Sequence, residues 1–517
     1  MRRGHKIAVA AGAVLGVMIL IPLVYDQAWR NTNSDFIAQL AARGEPMTLA
    51  QARPPAVPAA ENGADTFLKA AALLEADDSL LKTNSSKAML SVALGKAVPC
   101  SQLPTFVGYE ATNSWAEFSE ALSRNQPALE LLRQVAGYEG LDFHVHYERG
   151  VGDGFDFKGL NLGNLKQSAQ YLSAATIGDL HEGNVASAVK DQQAALALVY
   201  GLQSQRFVIS ELVGNAIIRT VQPAGWEILQ SPKVTGTELA DLQKGWERMN
   251  YVQSWQNALA MERVTGEITL TGWRSSTSGL EHYLGLGKSA REAMGMAADA
   301  DTPLDKIHTN AKILLWRYWW SYPDELRSLK GYEVLRRTLR CVATNGNFQT
   351  AISNQQAGLE FLQLTNLPDE TAFSEDSDFH SLMSQSIGTL ARTTKTLMRA
   401  ETARQMTITA IALQRFKLAH GHYPEHLVGL VPEFLTAIPM DPVDGQPLRY
   451  HRESGGTFLL YSVGENGVDD GGDPSPAGHG TPKTFYWQSP EALDWVWPQA
   501  TTADGVQFIY TPATGAK

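Results

Sequence analysis

Cysteine is almost missing from this sequence, with only Cys100 and Cys341 among 517 residues. Two cysteines are too few for a disulfide scaffold, and they lack the clustered spacing of a zinc or iron–sulfur site. If the chain lies outside the cytoplasm, the two could form one bridge. A pair of buried free thiols is the interpretation that the composition favours.

Basic charge is also in short supply, because 43 lysines and arginines face 54 acidic residues and the formal net charge is -11. Such a chain offers no positive field for a phosphate backbone, so we predict no nucleic-acid partner. Hydrophobic residues make up 44% and charged residues 19%, which is typical of globular proteins. The length predicts two or three domains.

Familiar catalytic motifs are lacking too, since the sequence has no Gly-x-Ser-x-Gly elbow and no His-Glu-x-x-His helix. We therefore favour a non-enzymatic protein. The alternative is an extracytoplasmic enzyme with its active site in the helical part of the chain. A cavity that groups His144, His146, Glu148 and Arg149 around a strongly shifted ionisable group would support that alternative.

One long uncharged stretch is present, in residues 7 to 24. Its 18 apolar or small residues nearly match the thickness of a bilayer, which predicts a transmembrane anchor. Arg2, Arg3 and Lys6 precede it, so residues 1 to 6 are expected in the cytoplasm and the body in the periplasm or another extracytoplasmic space. A cleaved signal peptide is the competing interpretation, but no clear cleavage site follows the stretch.

The central part of the chain shows apolar residues at three- and four-residue spacing, which predicts helices. We assign residues 25 to 62, with Pro54, Pro55 and Pro58, to a linker and residues 63 to 388 to a helical domain. The clearest unit is a helical hairpin over Leu160 to Gly201 that breaks at Gly183. It is weakly similar to a tetratricopeptide hairpin, but the period does not recur, which favours an irregular bundle.

Aromatic residues crowd one short segment before Pro323. They are Trp316, Tyr318, Trp319, Trp320 and Tyr322. Such a cluster could line a ligand groove or touch lipid headgroups, although aromatic side chains usually belong to a core.

The composition changes after Ile411 from helix formers to Gly, Pro, Tyr and Asp. A helix is expected to stop at Gly421, because Tyr423-Pro424 cannot continue it. Residues 447 to 450 and 457 to 463 alternate in hydrophobicity around Ser454-Gly455-Gly456, which predicts a β-hairpin. We therefore predict a small α+β domain over residues 389 to 517, with a helix packed on a short antiparallel sheet.

Four sequence blocks in this region resemble the globular head of the type II secretion major pseudopilin. They are Ala412-Leu413-x-x-Phe416-Lys417-x-x-His420-Gly421-x-Tyr423-Pro424, Leu-x-x-Leu-Val-Pro-x-Phe-Leu over 427 to 435, Pro439-x-Asp441-Pro442 with Gly445-x-Pro447, and Leu460-Tyr461-Ser462-x-Gly464-x-Asn466-Gly467. The resemblance covers about the last fifth of the chain. In that family one long N-terminal helix leads into the head and assembles into a pseudopilus. Here the uncharged stretch lies far from the head and has no prepilin-peptidase site, which argues against a pilus subunit.

The resemblance also implies calcium in the last loop of the head. This chain has an acidic, glycine-rich loop there with no Lys or Arg between Glu453 and Pro482. The candidate metal ligands are Ser462, Asn466, Asp469, Asp470 and Asp473. Hard cations prefer oxygen ligands from a loop that can fold around them, and a solvated acidic loop is the alternative.

Together these features predict a multidomain protein with an N-terminal transmembrane helix, a mainly α-helical body and a small α+β C-terminal domain. We expect a membrane-anchored envelope protein that is not an enzyme and that contacts other envelope proteins, in a protein-interaction or secretion-associated role.

Overall fold

The computed structural model describes residues 24–74, 88–107, 112–149, 161–276, 280, 310–364, 381–476 and 489–501. A helix, α1, occupies residues 24 to 42 of this part. Short elements follow, namely α2 (Leu49–Ala52), a 3-10 turn (Ala59–Glu61), α3 (Ala64–Leu73), β1 (Leu90–Ala93), β2 (Lys96–Val98), a 3-10 turn (Cys100–Gln102), β3 (Phe106–Val107) and β4 (Thr112–Asn113).

Longer helices form the centre of the molecule. They are α4 (Trp115–Arg124), α5 (Gln126–Val135), α6 (Leu162–Glu182), α7 (Val185–Ser204), α8 (Val208–Gln230), α9 (Gly236–Glu247) and α10 (Tyr251–Ser275), with a 3-10 turn (Tyr147–Arg149) before α6. The hairpin predicted around Gly183 is confirmed as α6 and α7. Gly183 ends α6 in the left-handed conformation that glycine adopts most easily.

One continuous helical run begins at residue 310. It consists of α11 (residues 310 to 315), a π-helical turn (Trp316–Trp320) and α12 (Ser321–Asn345). Two more helices follow, α13 (Phe348–Phe361) and the 36-residue α14 (Gln385–His420). As predicted, α14 ends at Gly421, which has a φ of 78°.

In the described ranges, three small sheets accompany the helices. The predicted hairpin is confirmed as β5 (Arg449–Arg452) and β6 (Phe458–Ser462), and β7 (Trp495–Val496) adds to β6 in antiparallel order. In a second sheet, β2 lies between antiparallel β1 and the parallel strand β8 (Gln499–Ala500). The third sheet joins β3 and β4.

A single cluster of buried hydrophobic side chains runs through most of the chain, from Phe67 in α3 to Trp497 after β7. Helix α14 contributes over most of its length, from Ile387 to Leu413. Residues assigned to the helical domain and to the C-terminal domain therefore share a core, and the division at residue 388 stays a prediction. Cys100 and Cys341 are free thiols.

The segment assigned to a linker is packed on the body. Asn33 Nδ2 on α1 donates to the carbonyl of Tyr322 at 2.9 Å and to Glu325 Oε2 at 2.6 Å. Beyond α1, buried Glu45 is paired with three arginines, Arg263, Arg336 and Arg340. Burial alone would raise the pKa of Glu45, but these arginines bring it below its ordinary value. The first described residues are thus fixed against α10 and α12.

The predicted fold class needs one correction. The mainly helical body and the small C-terminal sheet are present, but within the described ranges no helix is both long enough and apolar enough to cross a membrane. The proposed anchor of residues 7 to 24 lies outside the described residues except for Val24. Val24 begins α1, whose remaining residues are mixed in polarity because α1 packs one face on the body.

Candidate functional site

The candidate site is the turn-rich part of the C-terminal domain, and buried Asp441 is its central acceptor. Asp441 Oδ1 accepts hydrogen bonds from the backbone N–H of Val443 at 3.0 Å and from Ser462 Oγ at 2.9 Å. Its Oδ2 accepts the backbone N–H of Val463 at 3.0 Å. Burial raises the pKa of Asp441 to about 6, although these bonds oppose that effect. Asp441 thereby ties the turn after Pro439 to the end of β6.

Arg449 on β5 lies among three carboxylates. Its guanidinium contacts Asp444 at 2.6 Å, Asp441 at 3.3 Å and Asp469 at 3.3 Å. Burial alone would raise the pKa of Asp444, but its bond to Arg449 brings it below the ordinary value. The Arg449 side chain therefore supplies positive charge where the acidic groups converge.

The glycine-rich loop wraps around a second buried carboxylate, Asp494. Asp494 Oδ2 accepts the backbone N–H groups of Gly472 at 2.7 Å and Asp473 at 3.1 Å. Burial raises the pKa of Asp494. Gly464 has a φ of 64°, and a Cβ atom there would lie 2.6 Å from the carbonyl oxygen of Leu493, so only glycine fits this approach.

The five predicted metal ligands form hydrogen bonds with different partners. Ser462 donates to Asp441, and Asn466 Nδ2 donates to Asp470 Oδ2 at 2.9 Å. Asp469 Oδ1 accepts from Tyr461 at 3.0 Å, while its Oδ2 faces Arg449. Asp473 Oδ1 accepts the backbone N–H of Ser475 at 2.9 Å.

Calcium needs about six to eight oxygen ligands directed at one centre. In the described residues, the His, Cys, Asp and Glu side chains do not form a group of three or more that could hold a metal ion. Asp469 would have to give up Arg449 to become a ligand. In this arrangement Asp469 and Asp470 are engaged by other side chains, and the calcium assignment stays a prediction.

One edge of the site is occupied by the helical body. The backbone N–H groups of Phe348 and Gln349, in the first turn of α13, each donate at 2.9 Å to the carbonyls of Pro442 and Val443. Asn347 adds a bond of 2.7 Å to the carbonyl of Asp444. The first N–H groups of a helix have no partner within the helix, so the turn after Asp441 satisfies two of them.

A charged contact holds the loop at a second place. Half-buried Glu465 pairs with Lys395 at 3.1 Å and with Arg399 at 2.8 Å, both on α14. Beside it, a Cβ atom at Gly467 would overlap the side chain of Gln349. The loop thus lies closely against α13 and α14.

Three of the four residues named for the alternative enzyme site, His144, His146 and Glu148, lie at the surface. His146 Nδ1 contacts Glu148 Oε1 at 2.8 Å, and Arg53 pairs with the same carboxylate at 3.0 Å. Hydrogen bonds from its own backbone and from His146 lower the pKa of Glu148. The side chain of Arg149 is not described, and His144 is exposed. The exposed His146–Glu148 pair lacks the raised carboxyl pKa that a buried general acid would show.

Three residues important here did not figure among the candidate ligands, namely Asp441, Arg449 and Asp494. Asp441 stands in an Asp-Pro turn and Asp494 in an acidic-aromatic segment, which were visible in the sequence. The sequence does not show that these three residues lie close together. Strand pairing between β5, β6 and β7 brings them to one end of the sheet.

Comparison with known proteins gives no relative. No family model, no curated protein and no solved structure matches this chain.

Proposed function

We propose that this chain is a non-catalytic protein-interaction component of a bacterial cell envelope, with a pseudopilin-like head that is a fixed part of its own helical body. The proposal assigns it a role beside a secretion apparatus. Support comes from the four sequence blocks over residues 412 to 467 and from the helix that leads into them.

The observation that carries the proposal is the burial of α14. In the pseudopilin family the helix leading into the head packs against other subunits. Here the corresponding helix buries side chains from Ile387 to Leu413 against α8, α9, α10, α12 and α13 of the same chain. An apolar helix face that is buried within its own chain is not available for packing against another subunit. This favours an accessory role over a pilus subunit.

The test is photo-crosslinking in the native envelope. A benzophenone amino acid replaces Val428 or Val468, two exposed apolar residues of the head, and a matched probe replaces exposed Leu68 on α3. We expect adducts with a secretion or other envelope protein from the head positions and not from Leu68. Ladders of the chain with itself would instead indicate polymerisation. Equal adducts from all three positions would contradict a binding role for the head.

A further inference from the structure

The helical run that begins at residue 310 is apolar on both faces. Ile313 and Trp316 point inward, are fully buried and belong to a smaller hydrophobic cluster with Trp273. Leu314, Leu315 and Tyr318 point outward and are 48%, 46% and 52% exposed. A surface helix of a soluble protein normally carries polar residues on its outer side, so this outer face needs a partner.

The start of α1 extends the same surface. The ring of Tyr25 lies 5.3 Å from the ring of Trp319, which joins the two helical segments side by side. Val24 and Tyr25 are themselves exposed. The resulting N-terminal apolar patch consists of Val24, Tyr25, Leu314, Leu315, Tyr318 and Trp319.

This patch is held in a fixed position. Asn33 bonds α1 to Tyr322 and Glu325, which lie two and five residues beyond the π-helical turn. Arg274 on α10 donates to Glu325 at 2.7 Å and lies 3.8 Å from the centre of the Tyr322 ring. The contacts among α1, α10 and α12 therefore hold the exposed apolar residues in place.

We propose that the N-terminal apolar patch rests on the surface of a phospholipid bilayer. Tyrosine and tryptophan combine an apolar ring with a polar edge, and both are enriched where a protein meets the boundary between lipid and water. Tyr25, Tyr318 and Trp319 of the patch are side chains of this kind.

Sequence continuity also favours lipid over another occupant. The patch begins at Val24, and residues 7 to 24 carry no charge in 18 positions. Apolar side chains on the folded surface therefore adjoin an apolar stretch of the same chain. The inference needs only a surface contact, and it is independent of the proposed role of the head.

The experiment uses the full chain with vesicles of phosphatidylcholine and phosphatidylglycerol in equal parts. A benzophenone amino acid replaces Leu315 or Tyr318, and the matched control replaces Phe361, an apolar residue that is 88% exposed at the end of α13. After illumination, mass spectrometry measures phospholipid adducts at each position. We expect the adduct yield at positions 315 and 318 to exceed that at 361 severalfold.

A second variant distinguishes contact with lipid through this patch from nonspecific crosslinking. Leu314→Glu combined with Tyr318→Glu places charges on an exposed face, so the melting temperature should change little. The adduct yield of a benzophenone at position 315 should fall severalfold in this background, because charged side chains avoid the apolar part of the boundary. Adducts between two copies of the chain, or equal lipid yields at 315 and 361, would overturn the proposal.

Discussion

Glu211 shows how a single buried carboxyl group can set the response of this protein to pH. It lies on α8, its Oε1 accepts from Ser254 on α10, and its Oε2 meets no donor in the described part of the chain. Burial raises the pKa of Glu211 to about 8. The folded chain therefore holds this proton more tightly than the unfolded chain. The resulting stability is complete below the ordinary pKa and is lost as pH rises through about 8.

We predict that Glu211→Gln, which stays neutral, has nearly wild-type stability at about pH 5 and exceeds wild type at about pH 9. The gain should reach a few kcal/mol at most, at about 1.4 kcal/mol for each unit of pKa shift. Urea unfolding at both pH values measures it.

Glu227→Gln is the matched control, because Glu227 is equally buried but accepts three backbone N–H groups, from Met89, Cys100 and Ser101. An amide would turn a donor toward one of them, so the control should lose roughly 1–3 kcal/mol at about pH 5. Burial raises the pKa of Glu227 as well, so the comparison of the two variants is made at that pH. A Glu211→Gln variant that is as unstable as this control at about pH 5, or no more stable than wild type at about pH 9, would refute the assignment.

The calcium assignment is also decided by single residues. If the loop binds calcium, Asp469 exchanges Arg449 for the ion, and the full chain should melt higher in calcium than in chelator. Binding to the folded state adds about 2.7 kcal/mol at a hundredfold excess over Kd. Asp469→Asn with Asp470→Asn should abolish the shift, and magnesium should substitute poorly.

Differential scanning fluorimetry measures both effects. Asp241→Asn, an exposed acidic residue paired with Lys244 on α9, is the control that should keep the calcium shift. Identical melting curves of the wild type in saturating calcium and in chelator would leave the loop as acidic surface held by Arg449.

At the scale of elements, local signals located helices and turns better than sheets. Gly183 and Gly421 mark helix ends by their left-handed backbone. The predicted hairpin begins at residue 447, two residues before the observed start of β5 at Arg449. The sheet of β1, β2 and β8 was missed. Its strands have two to four residues, too few to show alternation, and β8 comes from the other end of the chain.

Asn347, which caps the N-terminus of α13, also binds the turn at Asp444. Asn347 Oδ1 accepts the backbone N–H of Thr350 at 2.8 Å, and its Nδ2 donates to the carbonyl of Asp444. We predict that Asn347→Ala costs about 2 kcal/mol, roughly half from the cap and half from the bond to Asp444. Chemical denaturation measures the loss.

Asn250→Ala is the matched control for this prediction. Asn250 caps α10 in the same way, through the backbone N–H of Gln253 at 3.1 Å, so its loss should be about 1 kcal/mol. Equal losses in the two variants would mean that the contact between α13 and the turn at Asp444 contributes nothing to stability.

For the whole molecule, the shared core predicts that the helical body and the C-terminal sheet unfold together. The buried cluster runs from Phe67 to Trp497, and Trp226 Nε1 on α8 donates to the carbonyl of Pro498 at 2.9 Å. Calorimetry should therefore show one transition, with a calorimetric enthalpy close to the van't Hoff enthalpy. Two resolved transitions would show that the C-terminal part is energetically separate.

A pair of tryptophan variants tests the connection itself. Trp226→Phe removes the bond to Pro498 and some volume, whereas Trp246→Phe removes similar volume from a buried ring whose Nε1 has no hydrogen-bond partner among the described residues. The Trp226 variant should therefore be less stable than the Trp246 variant by roughly 1–3 kcal/mol, because it leaves the Pro498 carbonyl unpaired. Both should keep one transition. Hydrogen exchange in β5 and β6 measures whether the C-terminal part of the Trp226 variant opens before the rest of the protein. If it does, the bond from Trp226 to Pro498 is what makes that part unfold together with the body.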